Sequence, residues 1–171
     1  MNLKNLVSPK TVLALFFLVV ALEVAALQVC MRIDNIVHVD LYRYGLQFNT
    51  VWAAEYWVSY KIVMACLLGA TVMMGFTLIP YYIYSREYTV ASRWSCILFP
   101  LISASFAAVS FYFIMQIDSI INVTLYQYGL QFSPEWAANY WSITRSILAM
   151  VGTAVMVSTV MALVTWAITK D

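Results

Sequence analysis

Four long apolar stretches constrain this chain more than any other feature of its sequence. They cover residues 11–30, 57–83, 95–117 and 141–168, and each is long enough to cross a bilayer core about 30 Å thick as a helix. None shows the two-residue alternation of a barrel strand, and only helices and closed barrels pair all of their backbone groups in lipid. The sequence therefore predicts an all-α membrane protein with four transmembrane helices.

The composition agrees with this prediction and narrows the range of functions. Of the 171 residues, 64% are hydrophobic and 10% are charged, with a formal net charge of +1, whereas about a quarter of a soluble domain is charged. The chain has no basic run, so we expect the lipid bilayer as its surroundings and no nucleic acid as a partner. Cys30, Cys66 and Cys96 are isolated, and we interpret them as buried apolar residues rather than redox or metal groups.

Four spans place both chain termini on one side of the membrane. We expect the first span to be retained and not cleaved as a signal peptide, because it is too long and no cleavage site follows it. A slight excess of basic residues predicts a multi-pass protein of the cell membrane with cytoplasmic termini, including an N-terminal segment at 1–10. The bases on the terminal side are Lys4, Lys10, Arg86, Arg93 and Lys170, and those on the other side are Arg32, Arg43, Lys61 and Arg145.

The segment between the first two spans recurs between the last two. Residues 34–57 and 118–141 are 84 residues apart and are identical at fifteen of 24 positions, which indicates an internal duplication. We predict two tandem, parallel helical hairpins at 11–83 and 95–171, joined by a cytoplasmic linker at 84–94. This parallel arrangement differs from the inverted repeats that are a common signature of transporters.

The two copies share a glycine corner and a set of aromatic side chains. Gly45 and Gly129 suit the left-handed position just after a helix end. Aromatic residues with a polar edge collect at membrane boundaries, so we predict protruding or interfacial tips that pack together; a stacking surface for a quinone is the alternative. The aromatic positions are Tyr42, Tyr44, Phe48, Trp52, Tyr56 and Trp57 in the first copy, and Tyr126, Tyr128, Phe132, Trp136, Tyr140 and Trp141 in the second.

Glu23 lies near the middle of the first span, and its counterpart in the second half is Ala107. A carboxyl group at this depth costs about 2.5–3.5 kcal/mol on insertion scales, so we expect it to face the protein interior. Proton handling, ion contact and a structural hydrogen bond to a neighbouring helix are all open for it.

Acids and bases also occupy equivalent positions in the two halves. Asp34 and Asp118 follow the first span of each half, and Lys61 and Arg145 lie about one turn inside the next. The bases either extend toward the membrane surface or pair with the acids. We predict the ion pairs, because they would fix the register of each hairpin.

His38 is the only histidine, and with Asp34 and Glu55 it offers a candidate metal site. Asp34 and His38 are four residues apart and share one face of a helix, and copper or zinc could bind such a group. The second copy has Asn122 in place of His38. We therefore prefer a boundary histidine that hydrogen-bonds locally, and we assign no catalytic residue.

The order of the spans and the second copy resemble the C subunit of the copper membrane monooxygenases, the ammonia and methane monooxygenase family. That family carries D-x-x-V-D-x-S-L-x-Q followed by F-T-P-x-x-W, and this chain has DSIINVTLYQ at 118–127 and FSPEW at 132–136. Its metal ligands are one Asp and two His. The matching positions here hold Asn122, Tyr126 and either Glu135 or Asn139, and in the first copy His38, Tyr42 and either Val51 or Glu55. The resemblance thus implies a relative or partner of such a complex without its own copper site.

The sequence predicts a four-helix bundle that is a structural or accessory subunit of an oligomer or of a larger membrane oxidoreductase complex. Small residues at 69–70, 103–108 and 152–154 are expected to provide close-approach faces for other membrane subunits. The alternatives are a metal- or quinone-dependent membrane redox enzyme, and a small transporter or channel that uses Glu23.

Overall fold

The computed structural model describes residues 9–35, 50–86, 90–121 and 134–168, and every regular element in these ranges is helical. The helices are α1 (Pro9–Asn35), α2 (Thr50–Phe76), α3 (Leu78–Arg86), α4 (Val90–Ser119) and α5 (Pro134–Ile168).

Four segments of these helices are long and apolar enough to cross a membrane. They are Thr11–Asn35, Ala54–Ile83, Arg93–Ser119 and Ala138–Ala167. The prediction of an all-α chain with four membrane-spanning helices is confirmed. The predicted tips stay a prediction, because Tyr42, Gly45, Phe48, Tyr126, Gly129 and Phe132 and the side chains of Trp52 and Trp136 lie outside the described residues.

The four spans pack in a ring. Helix α1 contacts α2, α2 contacts α4, α4 contacts α5, and α5 contacts α1. The ring has a terminal end, where α1 begins and α5 ends, and a loop end, where α1 and α4 end and α2 and α5 begin. Helices α1 and α4 are therefore diagonal neighbours, and the α2–α4 face lies opposite the α1–α5 face.

The inward faces of α1 and α4 recur at the spacing of the sequence repeat. Each buried residue of α1 has a buried counterpart 84 positions later in α4. These residues are Val12, Phe16, Val19, Glu23, Ala26, Cys30 and Ile33, followed by Cys96, Pro100, Ser103, Ala107, Ser110, Ile114 and Ile117. Steps of three and four residues keep each set on one face of its helix, so both halves turn the same helix face toward the centre.

The second span is interrupted at Thr77. Pro80 has no backbone N–H to donate to the carbonyl of Phe76. The chain tightens at this point, since the N–H of Thr77 donates to the carbonyl of Met74 at 3.0 Å, and the N–H of Tyr81 then donates to that of Thr77 at 3.2 Å. The sequence predicted 57–83 as one apolar stretch. The structure divides it between α2 and α3, and both α3 and α4 extend into the predicted linker.

Small residues bring the helices together within the bundle itself. Ala70, Ser103 and Ala154 are 0% exposed. A Cβ atom added to Gly69 would lie 3.6 Å from the ring of Phe106 on α4. These small residues therefore allow close packing within the bundle. The faces for other membrane subunits stay a prediction.

Hydroxyl groups on the outside of the bundle are bonded within their own helices. Ser105, Ser146 and Thr153 are exposed, and each donates to the carbonyl four residues earlier, at 2.9, 2.8 and 2.7 Å. A hydroxyl that faces lipid has no water to bond. Because these hydroxyl groups are already bonded to backbone carbonyls, the outer surface of the bundle is compatible with contact with lipid.

Candidate functional site: a buried carboxyl group and two tyrosine–aspartate pairs

Glu23 lies in the middle of α1 and is only 1% exposed. The preceding and following inward positions, Val19 and Ala26, are both 0% exposed. The side chain therefore points to the centre of the ring, away from the surface that would meet lipid, as the sequence analysis expected.

Ser103 on α4 links this carboxyl group to a third helix. Its Oγ lies 3.1 Å from Glu23 Oε1 on α1 and 3.0 Å from the carbonyl oxygen of Ala70 on α2. Since α1 and α4 are diagonal in the ring, the contact crosses the centre of the bundle. One serine hydroxyl thus holds three of the four spans at the same level.

The number of hydrogens at Ser103 bears on the protonation state of Glu23. A serine hydroxyl has one hydrogen to donate, and both of its close neighbours, a carboxyl oxygen and a carbonyl oxygen, are acceptors if Glu23 is ionised. If Glu23 is protonated, it donates to Ser103, and Ser103 donates to Ala70. The geometry at both contacts is then satisfied, so the arrangement fits a neutral carboxylic acid.

The surroundings of the second oxygen of the Glu23 carboxyl group also favour the protonated form. Oε2 is buried and has no hydrogen-bond partner among the described residues. The hydroxyl of Thr71 faces the carboxyl group, but it donates its hydrogen to the carbonyl of Leu67 at 2.9 Å. A carboxylate without compensating donors would be strongly unfavourable in such surroundings.

Two tyrosine–aspartate hydrogen bonds lie at the loop end. Tyr56 on α2 donates to Asp34 Oδ1 on α1 at 3.3 Å, and Tyr140 on α5 donates to Asp118 Oδ1 on α4 at 3.1 Å. Both tyrosines are 1% exposed, and the two pairs are related by the repeat spacing of 84 residues. Each bond joins the two spans of one half.

From the sequence, we assigned these tyrosines to the aromatic layer and did not connect them with the aspartates. One sequence signal could have done so. Asp34 and Tyr56 are 22 residues apart, as are Asp118 and Tyr140, and both residue types are identical in the two copies although a third of the segment differs.

Lys61 and Arg145, the predicted partners of the aspartates, lie at exposed positions. The guanidinium carbon of Arg145 is 5.7 Å from the ring centroid of Trp141, one helical turn earlier on α5. This is within the range of a cation–π contact. It agrees with the alternative in which the bases extend outward, while the ion pairs themselves stay a prediction.

A small void lies between the spans next to Tyr140. Its volume is about 10 Å³, and it is lined by Cys30, Tyr60, Tyr140 and Thr144 together with Ile33, Val63, Ile114 and Ile117. Thr144 Oγ1 has no partner among the described residues. The void has room for about one water molecule and for no larger substrate.

Two of the three candidate metal ligands, Asp34 and Glu55, lie in the described part of the chain and have different surroundings. Asp34 accepts the hydrogen bond from Tyr56, Glu55 is exposed on α2, and His38 lies outside the described residues. Within the described ranges, no three His, Cys, Asp or Glu side chains come together. The copper site stays a prediction.

Polar side chains also occur on the outside of the ring near the loop end. An open groove of about 560 Å³ between α2 and α4 is lined in part by Glu55, Tyr112, Phe113 and Gln116. The equivalent positions on the opposite α1–α5 face hold a different polar set, and all of its members are exposed: Gln28, Arg32, Asn139 and Ser142.

These features define the class of the protein as an all-α, multi-pass membrane protein with hydrogen-bonded polar groups inside its bundle. No protein-family model matches the chain, and neither a curated protein nor a solved structure matches it.

Proposed function

We propose that this protein is a structural or accessory subunit of a membrane assembly, either an oligomer or a larger oxidoreductase complex, and that it is not catalytic by itself. The observation that carries this proposal is the polar surface of the α1–α5 face, inside the segments that cross the membrane.

Among the residues of that surface, Gln28 gives the strongest indication of a contact with another protein. It is exposed and lies seven residues before the end of α1, which is about 10 Å along a helix at 1.5 Å per residue. An amide that faces hydrocarbon without a partner is unfavourable by about 2–7 kcal/mol, depending on the reference state. Another protein surface can supply hydrogen bonds to such an amide, as polar groups do between transmembrane helices.

The interior of the bundle supports this assignment over transport. Glu23, the group on which a transport function would depend, is enclosed and held by Ser103. The void near Tyr140 is too small for a substrate. A subunit that stabilises an assembly needs such a filled interior, whereas a carrier needs a path through it.

The resemblance to the copper monooxygenase C subunit favours the larger oxidoreductase complex as the setting. It rests on the segments at 118–127 and 132–136. Within such a complex, this chain would contribute packing and polar contacts, and other subunits would contribute the metal site.

The decisive experiment is the mass of the protein extracted from native membranes into lipid nanodiscs. We expect native mass spectrometry to find either several copies of the chain or a complex of fixed stoichiometry with other membrane subunits. A protein that is monomeric and carries no other subunit would contradict the proposal.

Two further measurements separate the alternatives. Stoichiometric copper or zinc that is lost on His38→Ala would favour the metal-dependent redox enzyme instead. Proton or ion flux in proteoliposomes that is lost on Glu23→Gln would favour the transporter.

A further inference from the structure

The two polar faces of the ring are complementary in charge and position. We propose that copies of this chain associate side by side, so that the α2–α4 groove of one copy receives the α1–α5 face of the next and Glu55 pairs with Arg32. This inference rests on the proposed structural function and names the partner as a second copy of the chain.

The groove supplies the receiving surface. It has a volume of about 560 Å³ and combines the carboxylate of Glu55 and the amide of Gln116 with the rings of Tyr112 and Phe113. Tyr112 is 58% exposed. A groove of this size that carries one acidic group on apolar walls fits a helix face bearing one basic group.

The opposite face supplies that basic group at the same depth. By the repeat spacing of 84 residues, Arg32 is the counterpart of Gln116, and Asn139 is the counterpart of Glu55. Because the inward faces of α1 and α4 coincide at this spacing, the two outward faces lie at matching levels on opposite sides of the ring. The α2–α4 face is therefore acidic where the α1–α5 face is basic.

The surface next to Arg32 also permits close approach. Exposed small residues follow one face of α5, namely Ser142, Ser146, Ala149 and Thr153. The hydroxyls of Ser146 and Thr153 are already bonded to backbone carbonyls. A flat surface of small residues accepts a protruding aromatic ring such as that of Tyr112, as small residues do in membrane helix contacts.

The charges select a head-to-tail contact over a two-fold one. When unlike faces meet, every contact contains one Glu55–Arg32 pair. Such contacts lead to a ring or a row of copies that all have the same orientation in the membrane. A two-fold dimer through the groove would bring two Glu55 carboxylates into one interface, where like charges are unfavourable.

Cysteine cross-linking in membranes tests the proposal directly. Two chains are prepared on a Cys66→Ala background, one with Glu55→Cys and one with Arg32→Cys, and they carry different tags. We expect a short bis-maleimide to join them when both are present, and to join neither chain to itself. Arg145→Cys, which is also exposed near the loop end, replaces Arg32→Cys in the matched control and should give no product.

Charge reversal provides a second, independent measurement. Glu55→Arg alone and Arg32→Glu alone should each raise the dissociation constant between copies about tenfold or more, as measured by energy transfer in vesicles at varied dilution. The chain with both substitutions should recover most of the association, because each interface then contains the same pair with its charges exchanged.

The outcomes distinguish this inference from the function on which it rests. Cross-linking of Glu55→Cys to itself, or no cross-link between the two mixed chains, would overturn the head-to-tail interface. If the chain then still purifies in a complex of fixed stoichiometry with other subunits, the structural function stands and only the self-association is wrong. A monomer without any partner would overturn both.

Discussion

The hydroxyl of Tyr140 donates a 3.1 Å hydrogen bond to Asp118, and Tyr56 makes the same bond to Asp34 in the first half at 3.3 Å. Each bond ties the end of one span to the start of the next at the loop end of the bundle. The two bonds are therefore the points at which each half of the chain fixes the relative level of its own two spans.

Removal of these tyrosine hydroxyls should destabilise the packing of the two spans in each half of the chain. We expect Tyr140→Phe and Tyr56→Phe each to lower the free energy of unfolding by about 1–2 kcal/mol, because each removes a hydrogen bond between two spans. Thermal unfolding in nanodiscs measures the effect. Ser105→Ala is the control, since its exposed hydroxyl bonds only within α4, and it should change stability by less than about 0.5 kcal/mol. Equal effects of all three substitutions would contradict this role.

Glu23 should behave as a neutral carboxylic acid at neutral pH. Infrared spectroscopy should then show the carbonyl stretching band of a protonated carboxyl group, and Glu23→Gln should remove this band. Glu23→Gln should also keep stability within about 0.5 kcal/mol, since an amide N–H can donate to Ser103 in place of the acid.

Glu23→Ala is the contrasting variant. It removes the donor and leaves a cavity, so we expect a loss of about 2–4 kcal/mol. A carboxyl band that appears only in acid, or a Gln variant as unstable as the Ala variant, would show that the charged form is the native one.

Ser103 should contribute more to the stability of the bundle than the neighbouring Ser105 on α4. We expect Ser103→Ala to cost about 1–3 kcal/mol, because it leaves the buried Glu23 carboxyl group without its hydrogen-bond partner on α4. Ser105→Ala, two residues away, removes a hydroxyl that bonds only to its own helix, and it should be nearly neutral. Comparison of the two unfolding midpoints checks this. The same loss in both would mean that the Ser103 contacts contribute nothing specific.

Gly75 lies in open space two residues before the break at Thr77. A Cβ added there would meet no side chain and no other helix within 4 Å, and alanine favours helix over glycine by up to about 1 kcal/mol. We therefore expect Gly75→Ala to raise the unfolding midpoint. If Gly75→Ala is destabilising, the span must require flexibility next to Thr77.

The sequence was sufficient for the helices but not for their rotation. Apolar residues surround each span on nearly all sides, so no single stripe marks the inward face. Ser103 shows the consequence. Its position in a cluster of small residues predicted contact with another subunit, whereas its rotation toward the centre makes it the partner of Glu23, 80 residues earlier in the chain.

Similarly, the pairing of polar groups required the tertiary structure. The sequence identified Asp34 and Asp118 as equivalent acids and assigned cations to them. The structure gives each acid a tyrosine donor, because Tyr56 and Tyr140 lie on buried faces at the start of their helices. Lys61 and Arg145 lie on exposed faces, and their ion pairs with the acids stay a prediction. A difference of five residues along a helix moves a side chain to the far side of it.

The sequence by itself determined that this chain forms four membrane-crossing helices with an internal spacing of 84 residues, because lipid forces backbone groups to pair within each span. Only the tertiary structure decided which helices are neighbours and which small residues are buried in the contacts between them. It also decided that Glu23 contacts Ser103 across the centre of the bundle. These contacts join residues far apart in the chain, and they depend on the rotation and level of each helix, which hydropathy does not specify.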